Sequence, residues 1–430
     1  MTTILPSKPR SMLATAISTL LLGLTMFAPL TMAAEIPTGT PEEVGMSSER
    51  LQRINTVMQK HIDNGNIQGA VTIVARRGKM VHFETHGLMD VENNRPMQKD
   101  SLFIMMSSTK PLLGVAAMMM IEEGLIRPQD PVSKYIPEFA DMDVAVLRNP
   151  IEENVSPLSV DRENPPPHRL VPAHRDITIH DLLTHTSGLA SSGLGTVLAG
   201  RMQRSPDDTL TTVIPRYGDY ALDFQPGERW TYSPGVGLDV VARIVEIVSG
   251  QPFDEFLRER ILDPLDMNNT FYNVPEEYHD RRIVIQDRDM SPFFDVPPTK
   301  YFPGSYGLSS TAEDYLKFEQ MLLNGGELFG NRLLSPRSVR MMSSNQVGDI
   351  YSGISRRERG QGFGYTVAVT LDPIVAGSRR SEGAFGWGGA FGTRSWTDPE
   401  EELTAVLMLQ QPNNDARYDF DNAVQQAIID

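Results

Sequence analysis

The 430-residue chain has no cysteine, so it holds neither a disulfide nor the acylated cysteine of a lipoprotein anchor. It is also short of cations. Lys and Arg number 39 against 55 Asp and Glu, and the net charge of −16 would repel a phosphate backbone, which argues against nucleic acid as a partner. A complete GxSxG elbow is missing, because the nearest approach, Thr231-Tyr232-Ser233-Pro234-Gly235, lacks the first glycine. No HExxH pair exists, and neither His82 with His86 nor His180 with His185 has the acidic company of a metal site, so these histidines read as structural. Gly386-Trp387-Gly388 begins a nucleotide-loop pattern that Phe391 breaks at its final glycine position. No cofactor and no metal is implied. The 22 methionines read as core filler rather than a sulfur-rich binding surface.

One long apolar run is present, at the start. After Lys8 and Arg10, residues 12–34 carry no charge and end in Thr31-Met32-Ala33-Ala34, small residues suited to a signal peptidase. This predicts a signal peptide over 1–34, cleaved after Ala33 or Ala34, and a periplasmic or secreted protein with no stable membrane association. An uncleaved anchor is the competing reading, since the run is just long enough to span a bilayer. No second run of that length follows, and 35–430 is long enough for two packed regions.

Ser107-Ser108-Thr109-Lys110 places a hydroxyl and an amine three residues apart at the mouth of the apolar segment Pro111 to Ile121. On a helix those side chains share a face. A serine hydroxyl becomes a nucleophile when a base takes its proton, and a lysine can be that base when desolvation or a nearby cation favours its neutral form. Pro111 fits only the first turn, so the helix is expected to begin near Ser107, with the hydroxyl at the positive end of the dipole. SxxK alone is a common coincidence, and taken by itself a surface capping serine explains it better. Two further elements follow in order: Tyr232-Ser233-Pro234, then Gly386-Trp387-Gly388-Gly389-Ala390.

Together the three resemble the SxxK, Tyr-x-Asn and Lys-Thr-Gly motifs of serine β-lactamases and penicillin-binding proteins, and most closely those of class C β-lactamases and family VIII carboxylesterases. The resemblance extends over Phe103 to Pro128, Leu182 to Leu189, Gly307 to Gly326 and Trp387 to Gln410. It implies acyl transfer through a covalent ester on Ser107, with Lys110 and Tyr232 acting as one proton-transferring unit. It further implies that Gly388 and Gly389 let a strand approach the substrate, and that the Ala390 N–H joins that of Ser107 as an oxyanion hole.

Two departures bear on substrate. Trp387 stands where those enzymes carry the motif lysine, and Pro234 stands where the asparagine would donate to a substrate amide, so an apolar wall replaces a cation and a donor is lost. Both favour esters over amides. Arg394 on the next strand could restore the cation or point to solvent. The expected activity is cleavage of carboxylic esters, the partner being a small-molecule ester or lactam substrate. The alternatives are a β-lactamase or D-Ala-D-Ala carboxypeptidase, an acyltransferase, and a non-catalytic protein binding a peptidoglycan-like ligand.

The fold expected is α/β of the α+β type: one antiparallel sheet built from both chain ends, flanked by helices, with a helix-rich insert. The hydrolase domain is expected over 35–430, its sheet region at about 35–115 plus 355–430 and its helical region at about 116–354. Gln68 to Ala75 and Met80 to Gly87 read as a hairpin across Arg76 to Lys79. Phe363 to Leu371, Ala384 to Gly389, Gly392 to Trp396 and Leu403 to Leu409 read as strands. Helices are expected over Ser48 to Asn64, Asp176 to His185, Val236 to Val248, Phe253 to Ile261, Ala312 to Leu323 and Asp419 to Ile429, with a capping box at Ser310-Thr311-Ala312-Glu313. The Pro-rich segment 149–175 reads as an extended loop.

Overall fold

The computed structural model describes residues 1–3, 34–148, 165–200, 202–285, 298–354 and 358–430. The chain divides into Met1–Ala33 and Ala34–Asp430. Only residues 1–3 of the first unit are described, and they are exposed. The expected signal peptide lies almost wholly outside the described residues, among which no helix is long and apolar enough to cross a membrane.

The second unit is built on a hairpin, β1 (Gly69–Arg76) and β2 (Lys79–Asp90). Arg77 and Gly78 turn it with φ of 50° and 73°, the paired positive angles of a tight turn whose twist matches the strands. The short β3 (Arg95–Pro96) pairs with β2. From the far end of the chain come β4 (Gln361–Phe363), β5 (Ala368–Thr370), β6 (Phe385–Gly386), β7 (Arg394–Asp398) and β8 (Leu403–Met408). The order is β4-β5-β6-β7-β8-β1-β2-β3, each pairing antiparallel, so the two ends of the chain meet where β8 lies along β1.

Both faces of this sheet are covered, which is why every residue of β1 and β8 is buried. Ala70 and Val74 face the helices α1 (Arg53–Asp63) and α5 (Asn414–Gln425), packing with Ile54, Met58 and Phe420. Val71 and Ile73 face the main core, which includes α2 (Lys110–Glu122), α3 (Val236–Ser249) and α4 (Ala312–Leu323). The period-2 alternation of a strand thus sends its apolar residues into two separate cores.

Several boundaries differ from the sequence reading, each for a local reason. The strand expected over Phe363 to Leu371 is the hairpin β4–β5, because Thr366 turns with φ 67° and the Gly364 N–H bonds the Val367 carbonyl at 2.8 Å. Ala384 to Gly389 shortens to β6, since the chain folds back after it and the Gly389 N–H bonds the Thr393 carbonyl. The first helix breaks into Ser48–Leu51 and α1. The last begins at Asn414, capped by Asn413, whose side chain accepts from the Ala416 N–H. Thr178 caps a helix of Ile179–Leu183, shorter than expected, and Phe253–Leu257 runs on into a π turn, Arg258–Leu262.

α4 matches its expected span, but its cap is one residue later. Thr311 accepts from the Asp314 N–H, and the Asp314 carboxylate leaves the cap to accept from the Asn269 N–H and Thr270 hydroxyl, so the reciprocal box does not form. Of the expected loop over 149–175, residues 149–164 lie outside those described, while His168–Pro172 forms a strand against Asp143–Leu147.

Candidate active site

Met106 adopts φ 46°, a left-handed conformation costly for a residue with a Cβ, and so turns the chain sharply into a 3₁₀ turn over Met106–Thr109. α2 continues from it, with Pro111 in the first turn. Residues three apart eclipse in a 3₁₀ turn, which stacks Lys110 directly on Ser107. Lys110 Nζ lies 3.1 Å from Ser107 Oγ. Lys110 is fully buried, yet among the described residues no carboxylate touches it; its other two hydrogen bonds go to the carbonyls of Pro234 at 2.9 Å and Ser305 at 2.8 Å.

Tyr232 arrives 125 residues later, just ahead of α3, and its hydroxyl lies 2.8 Å from the same Ser107 oxygen. Carbonyls only accept, so two Lys110 N–H groups are committed whatever its charge. The third tetrahedral position faces Ser107 Oγ. There a charged Lys110 donates, and a neutral Lys110 presents a lone pair. Either member of the Lys110–Tyr232 pair is therefore placed to take up the serine proton.

Trp387 lies against Tyr232, ring centroids 5.6 Å apart, within a buried cluster of Trp230, Tyr351 and Phe363. Gly388 and Gly389 follow at the end of the strand. A Cβ on Gly389 would fall 2.3 Å from both the Met105 carbonyl and Thr393 Oγ1, so only glycine lets the strand approach the Ser107 turn this closely. Among the described residues neither the Ser107 N–H nor that of exposed Ala390 has a hydrogen-bond acceptor, as a pair of free oxyanion donors requires.

Arg394 is not brought to Ser107. Strand alternation puts Thr393 and Ser395 toward α4 and the Ser107 turn, and puts Arg394 with Trp396 on the other face. Burial, with the neighbouring cations of Arg380 and Arg417, pulls the Arg394 guanidinium down to about 10.

Residues that the sequence reading passed over hold the site together. Thr393 Oγ1 contacts Ser108 Oγ at 2.8 Å, the Met105 carbonyl at 3.2 Å and the Gly389 N–H at 3.1 Å, tying the glycine strand to the serine turn. Asp239, in the first turn of α3, accepts from the Ser305 N–H and hydroxyl and, at 2.7 Å, from the Tyr301 hydroxyl. It thereby fixes the carbonyl that holds Lys110. Burial raises the Asp239 carboxyl above its ordinary range, opposed by those hydrogen bonds.

His185 stacks edge-on beneath Tyr232 at 4.8 Å, and its Nδ1 accepts from the Ser233 N–H at 3.4 Å. Burial and the charge of Lys110 hold its imidazole well below the usual range, so it stays neutral. The sequence places it in the Leu182–Leu189 segment and reads it as structural, without its place beneath Tyr232.

Residues 54–428 match the family described as Beta-lactamase. The chain is 36% identical over 373 residues to Protein Rv1367c of Mycobacterium tuberculosis, covering 81% of this chain and 87% of that protein. It is 29% identical to Esterase EstB of Burkholderia gladioli, over 83% of this chain and 89% of that one. In fold it resembles EstCE1, a hydrolase with promiscuous acyltransferase activity, with a TM-score of 0.70 at 24% identity over 88% of this chain and 99% of that one. This chain belongs to the beta-lactamase family of serine hydrolases.

Proposed function

We propose that the protein is an exported serine hydrolase that cleaves carboxylic esters through an acyl-enzyme on Ser107. The observation that carries this is the convergence of Lys110 Nζ and Tyr232 OH on one Ser107 oxygen. Ser107 Oγ bonds to the ester carbonyl carbon while its proton passes to the Lys110–Tyr232 pair. The carbonyl oxygen becomes an anion facing the N–H groups of Ser107 and Ala390. As the bond to the alcohol oxygen breaks, the pair returns the proton to that oxygen. Water then repeats the cycle, releasing the acid and restoring Ser107. Esters are favoured over lactams because Trp387 offers an apolar wall and Pro234 offers its carbonyl to Lys110 but no donor to a substrate. The uncharged stretch 12–34 supports export to the periplasm or beyond.

The test is hydrolysis of p-nitrophenyl butyrate and a chromogenic cephalosporin by the native chain and by Ser107→Ala. Ester turnover should exceed lactam opening and fall at least about 10³-fold in the variant. Turnover at the native rate in Ser107→Ala would overturn the assignment. Faster opening of the cephalosporin would make the protein a lactamase.

A further inference from the structure

Beside the catalytic group lies a cavity of about 650 Å³ whose lining includes Met202, Arg204, Tyr217, Tyr220, Val236 and Tyr306, a size suited to a small organic moiety. Two of these residues connect it to Ser107. Tyr306 follows Ser305 and Val236 lies two positions beyond Pro234, the residues whose carbonyls hold Lys110.

Among the described residues, Arg204 is the one charged side chain in a lining whose other polar side chains are those of Thr196, Gln203 and three tyrosines. Arg204 makes no ion pair among the described residues, whereas the acids beside it are engaged elsewhere, Asp207 with Lys300 at 2.6 Å and Asp208 with Arg216 at 3.8 Å. No carboxylate lines the cavity among the described residues. The guanidinium lies 3.9 Å over the Tyr301 ring, while the Tyr301 hydroxyl is committed to Asp239. The phenols of Tyr217 and Tyr306 line the same space and feel the guanidinium charge. Burial pushes Tyr306 up to about 12, so its phenol is a neutral donor at ordinary pH. One cation and a set of hydroxyl donors against an apolar wall of Met202 and Val236 make a receptor for a single organic anion.

We propose that Arg204 and this cavity bind a carboxylate at the end of the ester remote from the scissile bond, so that the preferred substrates are esters carrying a free acid. This rests on the reading of Ser107 as nucleophile, and supplies it with a substrate class.

The experiment compares p-nitrophenyl hexanoate with the p-nitrophenyl monoester of adipic acid, and phenyl butyrate with the butyrate ester of 4-hydroxybenzoic acid, so that the acid is placed on the acyl side or the alcohol side. In at least one pair the native chain should prefer the acid. Arg204→Gln should cut that preference, taken as a ratio of kcat/KM values, about tenfold or more, and Arg204→Lys should restore most of it. An Arg204 that merely braced Tyr301 and Asp239 would change both members of a pair alike. An unchanged ratio in both pairs overturns the proposal while ester turnover itself leaves the serine hydrolase reading intact. Calorimetric titration of monomethyl adipate into Ser107→Ala covers the remaining case. Binding that Arg204→Gln abolishes supports the anion site even without turnover, and binding indifferent to Arg204 removes it.

Discussion

Two of the buried cations, Arg76 and Lys110, are held in opposite ways. Arg76, at 2% exposure on the edge of the hairpin, is surrounded by acceptors: the carboxylates of Glu401 at 2.7 Å and Asp430 at 2.6 Å, and the carbonyls of Val44, Gly45 and Glu401. Lys110, at 0%, hydrogen-bonds two carbonyls and a hydroxyl and pairs with no carboxylate among the described residues. A carboxylate partner fixes a cation's charge, because deprotonating it would strand a buried anion. Dipoles alone solvate the amine without pinning its proton. Arg76 therefore fastens the termini to the sheet, and the proposal for Ser107 needs Lys110 to be the opposite, a buried base whose proton is free to leave.

The contrast can be broken from either side. Lys110→Met should lower ester turnover by about 10³-fold or more while leaving the denaturant midpoint unchanged or raised, since it removes a buried amine that no carboxylate needs. A large loss of stability with activity retained would reverse the comparison. Gly389→Ala should cost about 10²-fold in kcat, because its Cβ would push against the Met105 carbonyl and carry the Ala390 N–H out of line. A wild-type kcat would detach that strand from the chemistry. Arg76→Met should do the reverse, losing about 2 kcal/mol of stability by leaving Glu401 unpaired, Asp430 with Arg77 alone and three carbonyls without their donor, with kcat per folded molecule intact.

The smallest effect concerns bases that are buried neutral. His82 and His86 both meet Thr72 Oγ1, at 2.8 and 3.0 Å, and burial pulls them down to about 3 and about 4, with a further push on His82 from His86 and Lys99. Between about pH 6.5 and 4 the unfolded chain takes up protons that the folded one refuses. Their stabilisation is thus complete above pH 6.5 and declines as pH falls, by at most about 1.4 kcal/mol per pH unit for each ring. Unfolding free energy measured from pH 7 to 4.5 should fall less steeply in the His82→Gln/His86→Gln double variant. An equal slope would mean that the acid limb has another source, such as His185.

What could be read from the sequence was local. The stacking of Lys110 on Ser107 follows from their spacing, the β1–β2 turn from Arg77-Gly78, and α4 from its apolar period, because each depends on backbone geometry over a few residues. Sheet composition from both chain ends was legible in the alternating segments. The break at Thr366 was not, since φ at a threonine is imposed by the Gly364–Val367 turn and its packing rather than by propensity.

Only the tertiary structure decided what stands around Ser107. Whether Tyr232 reached the serine, which face Arg394 occupied, and why Thr393, Asp239 and His185 matter all depend on strand register and on helix packing between residues from 48 to 288 positions apart. A one-residue shift in β7 would have exchanged Arg394 for Thr393 beside the serine turn. Sequence spacing sets the chemistry that two neighbouring side chains can share. The fold sets which distant groups join them, because the burial and pairing that select those neighbours exist only once the sheet has closed.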